Sequence, residues 1–507
     1  MVFLTLALLG VAVALAYSFY QSTYNYWKQR GVPHERPLLF FGNMKGIGSK
    51  LHFRDVNQRV YARFKGKTPF AGMFQFLKRV AFIIDLDLVK QVLIKDFNKF
   101  QDRGIFNNVR DDPLTGHLFT LEGDEWRSMR HKLTPVFTSG KMKHMFGIVV
   151  EVGQRLGDTV DKAVSAAVVD DGDVEIKELC ARYTTDVIGS CAFGIDCNSL
   201  ADPHAEFRAK GRMIFEKPRH HQLVQAFIFT NANLSRKLRL KVLPDELSSY
   251  FMEAVRNTVD YRMKHNIKRH DFLDQLIELR AEDQLAAQQT KGIDLSKGLT
   301  IEQMAAQAFV FFVAGFETSS STMGFCLYEL ALQPDVQQKL REEIETVLGD
   351  AELTYEALGE LTYLEQVLAE TLRKHSILPH LLREANQDYA VPNTNFIIEK
   401  GTSIVIPVYA IHRDPEIYPD PERFDPARFE PEAIKARHPF AYLPFGDGPR
   451  NCIGERFGKM QAKIGLVSLL RRFKFSASKQ TEVPLELENR SFVTSSKRGI
   501  HLKVERL

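Results

Sequence analysis

Cysteine is scarce: five in 507 residues, namely Cys180, Cys191, Cys197, Cys326 and Cys452, an odd set without repeated spacing. That excludes a disulfide framework and a zinc cluster and fits a reducing compartment. Excess charge is lacking too. The 67 Lys and Arg against 63 Asp and Glu leave a net +4, too little for a nucleic-acid footprint. Repeats, low-complexity tracts and long linkers are missing, which favours one mainly helical domain with a minor β region. The sharpest deficit is local: no charged side chain occurs from Met1 to Trp27.

What fills that gap is apolar. The run VFLTLALLGVAVALAYSFY spans roughly 28 Å as a helix, close to the hydrocarbon thickness of a bilayer. Ala14-Leu15-Ala16 resembles a cleavage site, so a signal peptide is the alternative. No Lys or Arg precedes the run, whereas Lys28, Arg30 and Arg36 follow it. An uncleaved anchor over 1–27, with the following chain in the cytosol, is therefore expected. Tyr17, Tyr20, Tyr24, Tyr26 and Trp27 suit an interfacial belt. Residues 28–43, with Pro33 and Pro37, read as a short tether ahead of a domain over 44–507.

PFAGMFQF and RVAFIID read as strands, and the chain from there to about residue 375 is mostly helical in pattern. DEWRSMRHKL, Glu175 to Phe193 and Ile301 to Leu332 are the clearest helices. Residues 285–300 read as a polar loop, with Thr300 as N-cap ahead of Glu302 and Gln303. Past residue 384 come short strands in YAVP, NFIIEKG and SIVIPVYA, a proline-rich stretch, and a helix from about Ile453 to Arg471.

The chemistry-bearing residues are few. FGDGPRNCIG (445–454) sets Cys452 behind Gly446, Gly448, Pro449 and Arg450, a tight turn that lets backbone approach something large and flat. Two readings stand on these residues: a buried thiol, or a thiolate ligand tuned by backbone N–H groups. In AFVFFVAGFETSSSTMGF, Glu317 and Thr318 follow an apolar run, where a charge is costly unless solvated or used. The bland alternative has Glu317 on a polar helix face and Thr318 bonding back to the Ala314 carbonyl. Glu370 and Arg373 share one helix face, as do Trp126 and Arg130.

The spacing F-x-x-G-x-R-x-C-x-G, through Phe445, Gly448, Arg450, Cys452 and Gly454, resembles the haem-binding loop of the cytochrome P-450 superfamily. The resemblance covers nearly everything after residue 43. It implies a single, mainly α, triangular haem-thiolate fold behind an N-terminal transmembrane helix. Cys452 is then the axial thiolate of haem b, donating electron density to iron. Trp126, Arg130, Arg383, Arg450 and Arg103 are implied propionate contacts, and Phe445 shapes the loop against the haem. Ala314-Gly315-x-Glu317-Thr318 is similar to the oxygen-activation motif. It implies that Ala314 and Gly315 leave room over the iron while Thr318 and Glu317 deliver protons. Glu370 and Arg373, with Arg423 of PERF, resemble the Glu–Arg–Arg structural network.

The same resemblance assigns Phe106, Phe119, Val310, Val313, Ile377, Leu378, Leu381, Phe492 and Val493 to an apolar substrate pocket without a charged anchor. HSILPHLL after Arg373 departs from the aromatic and prolines common there, which bears on selectivity. KDFNKFQDRG, DDPLTGHLF and FTSGKMKHMF look like the microsomal insect branch that handles plant toxins and insecticides. The implied reaction is monooxygenation of a hydrophobic molecule, with O2 and NADPH-derived electrons passed on by a flavoprotein reductase. Cytochrome b5 is a further candidate partner, and the cytoplasmic face of the endoplasmic reticulum membrane is the implied location. Lys132, Lys141, Lys143, Arg456, Lys459 and Lys463 are candidates for a basic face that docks an acidic reductase surface. The rivals are a narrow steroid or fatty-acid hydroxylase, a haem-thiolate isomerase or dehydratase, and a haem-binding sensor without turnover.

Overall fold

The computed structural model describes residues 2–167, 172–289 and 298–507. It is mainly helical. The strands among these residues are β1 (Phe70–Gln75), β2 (Lys78–Ile83), β3 (Asp173–Glu175), β4 (Leu381–Glu384), β5 (Tyr389–Ala390), β6 (Ile397–Ile398), β7 (Ser403–Ile406), β8 (Phe473–Ala477) and β9 (His501–Arg506). The chain divides into two compact units where the sequence suggests one domain. The first is Met1–Gly104, Leu378–Ile417 and His438–Asn451; the second is Ile105–Ile377, Tyr418–Arg437 and Cys452–Leu507. The division falls inside the cysteine loop, between Asn451 and Cys452.

In the first unit a four-stranded sheet runs in the order β1-β2-β7-β4. β1 and β2 form an antiparallel hairpin from Phe70↔Ile83 to Gln75↔Lys78, and β7 joins β2 in parallel. Phe70, Phe74, Phe82, Ile83, Ile404 and Ile406 are fully buried, so β-branched and aromatic residues fill the sheet's core. The helix Phe53–Phe64 begins with a capping box between His52 and Asp55 and buries Val56, Val60 and Phe64, four residues apart each time.

The N-terminal helix Val2–Tyr24 buries none of its residues in the protein. The expectations just after it need correcting. Tyr26 and Trp27 are not interfacial: Trp27 is fully buried, and its indole N–H donates to the Met73 carbonyl at 3.0 Å. A Cβ at Gly72 would lie 2.3 Å from the Trp27 ring, so glycine is what admits the indole to β1. Residues 32–43 continue along the same strand, with Gly72 N donating to Pro33 O and Asn43 N to Phe74 O, both at 2.8 Å. This segment is fastened to the sheet, because an indole and a ladder of backbone bonds outweigh the freedom of a twelve-residue loop (roughly 1–2 kcal/mol per ordered residue).

The second unit is built on the 32-residue helix Ile301–Leu332, opened by a Thr300–Gln303 capping box. It is buried on most sides and packs on the helix Ile176–Ile188. A three-stranded sheet, β3-β9-β8, closes this unit. The loop expected over 285–300 is shorter than read, since the helix Phe272–Gln289 takes its first five residues. Residues 290–297 lie outside the described chain. The last helix is Glu455–Leu470, with Gly454 as N-cap.

Candidate functional site

The cysteine loop is shaped by steric necessity. Gly446 and Gly448 have φ of +68° and +74°, the left-handed region that glycine enters without strain. A Cβ at Gly448 would sit 2.0 Å from the Leu93 carbonyl oxygen, so no other residue fits. Leu443 N donates to His412 Nε2 at 2.9 Å, and Arg103 Nη2 donates to the Arg450 carbonyl at 3.0 Å. Arg450 is buried, with its Nη2 3.6 Å from Asp102 Oδ1. Arg103 and Asp102 thus hold the loop through backbone and charge. Asp102 was not legible in the sequence, since nothing in FQDRG distinguishes it from a surface acid.

On the second unit's side, Cys452 is the one exposed cysteine; the other four are buried. Burial pushes the thiols of Cys180, Cys191 and Cys197 far up, and that of Cys326 to about 12, so none of these is a ready ligand. Cys452 stands just ahead of the helix Glu455–Leu470, whose N-terminal end favours negative charge. Trp126 and Arg130 lie on the helix Gly123–Leu133. Burial pulls the Arg130 guanidinium below its ordinary range, and the charge of Cys452 acts in the opposite sense.

The donor chemistry fits a haem. Among the described residues no group of three His, Cys, Asp or Glu could hold a metal ion, so an iron held by the single Cys452 sulfur would need further ligands of the kind a porphyrin brings. In the first unit the Arg383 side chain is buried, and burial pulls its guanidinium down to about 10. Its Nη1 donates to Leu382 O at 2.8 Å while its buried Nε has no hydrogen-bond acceptor. A desolvated guanidinium with an idle donor suits a carboxylate.

The Ala314–Thr318 stretch looks different. Thr318 Oγ1 donates to Ala314 O at 2.5 Å, the back-bond that was the bland alternative. Lys177 Nζ donates to Glu317 Oε1 at 2.8 Å, and Ser321 Oγ reaches the same oxygen at 3.3 Å. Ala314 is exposed on a helix that is otherwise mostly buried. The small size of Gly315 answers a neighbouring helix: a Cβ there would meet Ile188 Cδ1 at 2.6 Å, and Gln461 Nε2 donates to its carbonyl. Room for Ile188 is therefore the visible reason for glycine. Lys177 escaped the sequence reading because 140 residues separate it from Glu317.

The Glu–Arg–Arg network is present with a different third member. Arg373 Nε and Nη2 grip Glu370 at 2.6 and 2.7 Å, both side chains fully buried. Arg423 is exposed and contributes only its carbonyl, 3.3 Å from Arg373 Nη2. The guanidinium beside Glu370 is that of Arg428, 3.5 Å away and in the second P-x-R-F of the stretch. Two copies of that pattern stand five residues apart, and only packing selects between them.

The residues expected to line a pocket belong some to one unit and some to the other. In the second, the Phe119 and Phe492 rings meet edge-on at 6.4 Å, Phe106 and Val493 are buried, and Val310 and Val313 are half-buried on the long helix. Ile377 is buried, and its carbonyl accepts from Thr494 N at 2.8 Å. In the first, Leu378 and Leu381 are half-buried. The basic face is weaker than expected. Lys132 pairs with Asp283, Lys141 with Glu278, Lys143 with Glu356, and Lys459 and Lys463 both with Glu365. Arg456 bonds a neutral group, the Ser139 hydroxyl.

Comparison with known proteins agrees with this chemistry. The family profile for cytochrome P450 matches residues 32–503. Probable cytochrome P450 6a14 of Drosophila melanogaster is 67% identical over 506 residues, 99% of each chain. Cytochrome P450 6a2 of the same species is 48% identical over 505 residues, 99% of each chain. Cytochrome P450 6A1 of Musca domestica is 47% identical over 503 residues, 98% of this chain and 97% of its own.

Proposed function

The chain belongs to the cytochrome P450 family and is a monooxygenase, and from that premise we propose that it oxidises hydrophobic xenobiotics, with Cys452 as haem ligand. The family works with haem, O2, a redox-partner reductase and a hydrophobic substrate. NADPH as the electron source, cytochrome b5 as a second donor and the cytoplasmic face of the endoplasmic reticulum membrane belong to the proposal. The apolar helix Val2–Tyr24 supports the membrane part. One observation carries the ligand assignment: of five cysteines only Cys452 is exposed, in a loop that glycine alone can build.

A bound haem supplies electron acceptance and dioxygen activation. The protein's own groups then have separate tasks. Cys452 Sγ holds the metal, and Trp126, Arg130, Arg383, Arg450 and Arg103 are assigned by motif to the carboxylates. Thr318 Oγ1 spends its proton on Ala314 O, which leaves its lone pairs to accept from an ordered water. Glu317 is fixed through Oε1 by Lys177 and Ser321, so Oε2 is the oxygen assigned to pass protons. Phe119, Phe492, Val310, Val313 and Ile377 give an apolar lining that orients substrate without a charged anchor. Reductase docking rests chiefly on Arg456, since the lysines nearby are already paired within the chain.

The test is the reduced, CO-bound absorption spectrum of the loaded protein, followed by turnover with reductase and NADPH on a varied hydrophobic panel. Cys452→Ser is expected to abolish the red-shifted Soret band of a thiolate-ligated haem; a retained band overturns the ligand. Thr318→Ala is expected to keep the haem and divert NADPH electrons to peroxide, and unchanged coupling removes its role. One compound turned over far better than the rest of the panel replaces the xenobiotic reading with a narrow hydroxylase.

A further inference from the structure

The helix Thr362–Lys374 is followed by irregular backbone, and residues 375–377 carry no proline to stiffen it. They are nonetheless held from two sides, all within the second unit. The first hold comes from Glu329 of the long helix, which is buried, where a carboxylate is costly unless paired. Its partners sit at this junction: Lys374 Nζ lies 2.9 Å from Oε1, and His375 Nε2 lies 2.6 Å from the same oxygen. The His375 ring also stacks on Phe325 of the long helix, with centroids 4.5 Å apart. A buried ionic cluster is often no more stabilising than apolar groups of equal volume. What it adds is a fixed register between the segments it joins.

The second hold comes from near the end of the chain. Residues 486–497 fold back on themselves: Leu487 bridges Ser496, Glu488 N donates to Ser495 O and Lys497 N to Glu486 O, both at 2.9 Å. Thr494, 1% exposed, directs two donors at consecutive carbonyls: its N–H at Ile377 O (2.8 Å) and its Oγ1 at Ser376 O (2.7 Å). The backbone supplies the first bond whatever the residue, but a side chain of this size needs a hydroxyl for the second. Tyr328, beside Glu329, donates its hydroxyl to Glu482 O at 3.2 Å, just ahead of this hairpin. The long helix, the 374–377 segment and the hairpin are thus joined pairwise, in a closed triangle. The hairpin carries Phe492 and Val493 immediately before Thr494, and the 374–377 segment ends on Ile377.

We propose that Thr494 is a specificity-determining positioning residue, whose hydroxyl sews Ile377 to Phe492 and Val493 as one rigid wall of the apolar pocket. The proposal rests on the reading of those three side chains as pocket lining. Thr494 itself touches no substrate and acts through the carbonyls of Ser376 and Ile377. A wall tied on every side holds its shape around a ligand, so a snug apolar group gains affinity that a loosened wall gives up.

The test titrates the full-length, haem-loaded protein with imidazole and with 1-phenylimidazole, reading the Soret shift that nitrogen ligation produces. Imidazole reports the haem alone, and the ratio of the two affinities reports the wall. The unsubstituted chain is expected to prefer 1-phenylimidazole. Thr494→Val, which keeps the volume and removes the hydroxyl, is expected to lower that preference about fivefold while imidazole affinity stays constant. Thr494→Ser is expected to restore it. Should Thr494→Val fail to load haem, Tyr328→Phe carries the same comparison, with a smaller fall expected. A lower unfolding midpoint with an unchanged preference makes the hydroxyl a merely structural tie and overturns the proposal. An equal fall for both ligands places the effect at the haem and overturns it as well. If the unsubstituted chain binds 1-phenylimidazole no more tightly than imidazole, the apolar pocket itself is overturned, and the proposal with it.

Discussion

The cysteine loop and the Ala314–Thr318 stretch both match family motifs, yet they are built in opposite ways. In the loop the motif residues act through the backbone: Gly448 exists because Leu93 O leaves no room for a Cβ, and Arg103 holds the Arg450 carbonyl. In the helix they act through side chains already engaged, Glu317 with Lys177 and Thr318 with Ala314 O. A loop defined by sterics tolerates no substitute. A helix defined by side-chain bonds can be retuned from a residue 140 positions away.

Paired glycine substitutions test that contrast most strongly. Gly448→Ala forces a Cβ onto a carbonyl oxygen at positive φ and is expected to cost about 3 kcal/mol or more, with loss of haem-loaded protein. Gly315→Ala meets only the flexible end of Ile188 and is expected to cost about 1 kcal/mol or less. Denaturant midpoints of the two variants decide it, and equal losses would break the contrast.

Arg428 and Arg423 sharpen it on a smaller scale. Arg428→Ala is expected to lose about 2 kcal/mol, because Glu370 stays buried with Arg373 as its one cation, whereas Arg423→Ala keeps the carbonyl that Arg373 uses and stays within about 0.5 kcal/mol. Similar unfolding midpoints for the two would return Arg423 to the network.

Lys177→Met leaves a half-buried Glu317 without its cation and is expected to lose about 1 kcal/mol. It is also expected to change the ratio of product to peroxide in turnover while the CO-bound spectrum stays as it was. A changed spectrum with constant coupling would assign Lys177 to haem binding.

The smallest effect concerns pH. Burial alone would raise the Glu329 carboxyl, but His375 at 2.6 Å and Lys374 outweigh it and hold it below its ordinary range. The stabilisation is then full above the ordinary carboxylate pKa of ~4.3 and is lost as pH falls through the depressed folded value. Unfolding midpoints measured down the acid limb are expected to fall less steeply for Glu329→Gln than for the unsubstituted chain.

The legible part of this protein was what local spacing encodes. The long helix was read at Ile301–Leu332, where the structure has it, because its cap and apolar run are contiguous. The tight turn ahead of Cys452 follows from the glycines around it, and the apolar N-terminal helix from a run without charge. Less was legible where identical patterns compete, as in the two P-x-R-F copies, or where a partner comes from distant sequence, as Lys177 and Asp102 do.

By itself, then, the sequence determined the helical class, the glycine-rich loop around Cys452 and the family of reactions, since each rests on residues within one turn or one helix of each other. Only the tertiary structure decided that Arg428 closes the Glu370 network, that Gly315 makes room for Ile188, and that residues 26–43 are bound to β1. Those are contacts between segments distant in sequence, and their geometry is set by packing density and backbone bonding, which no local pattern records.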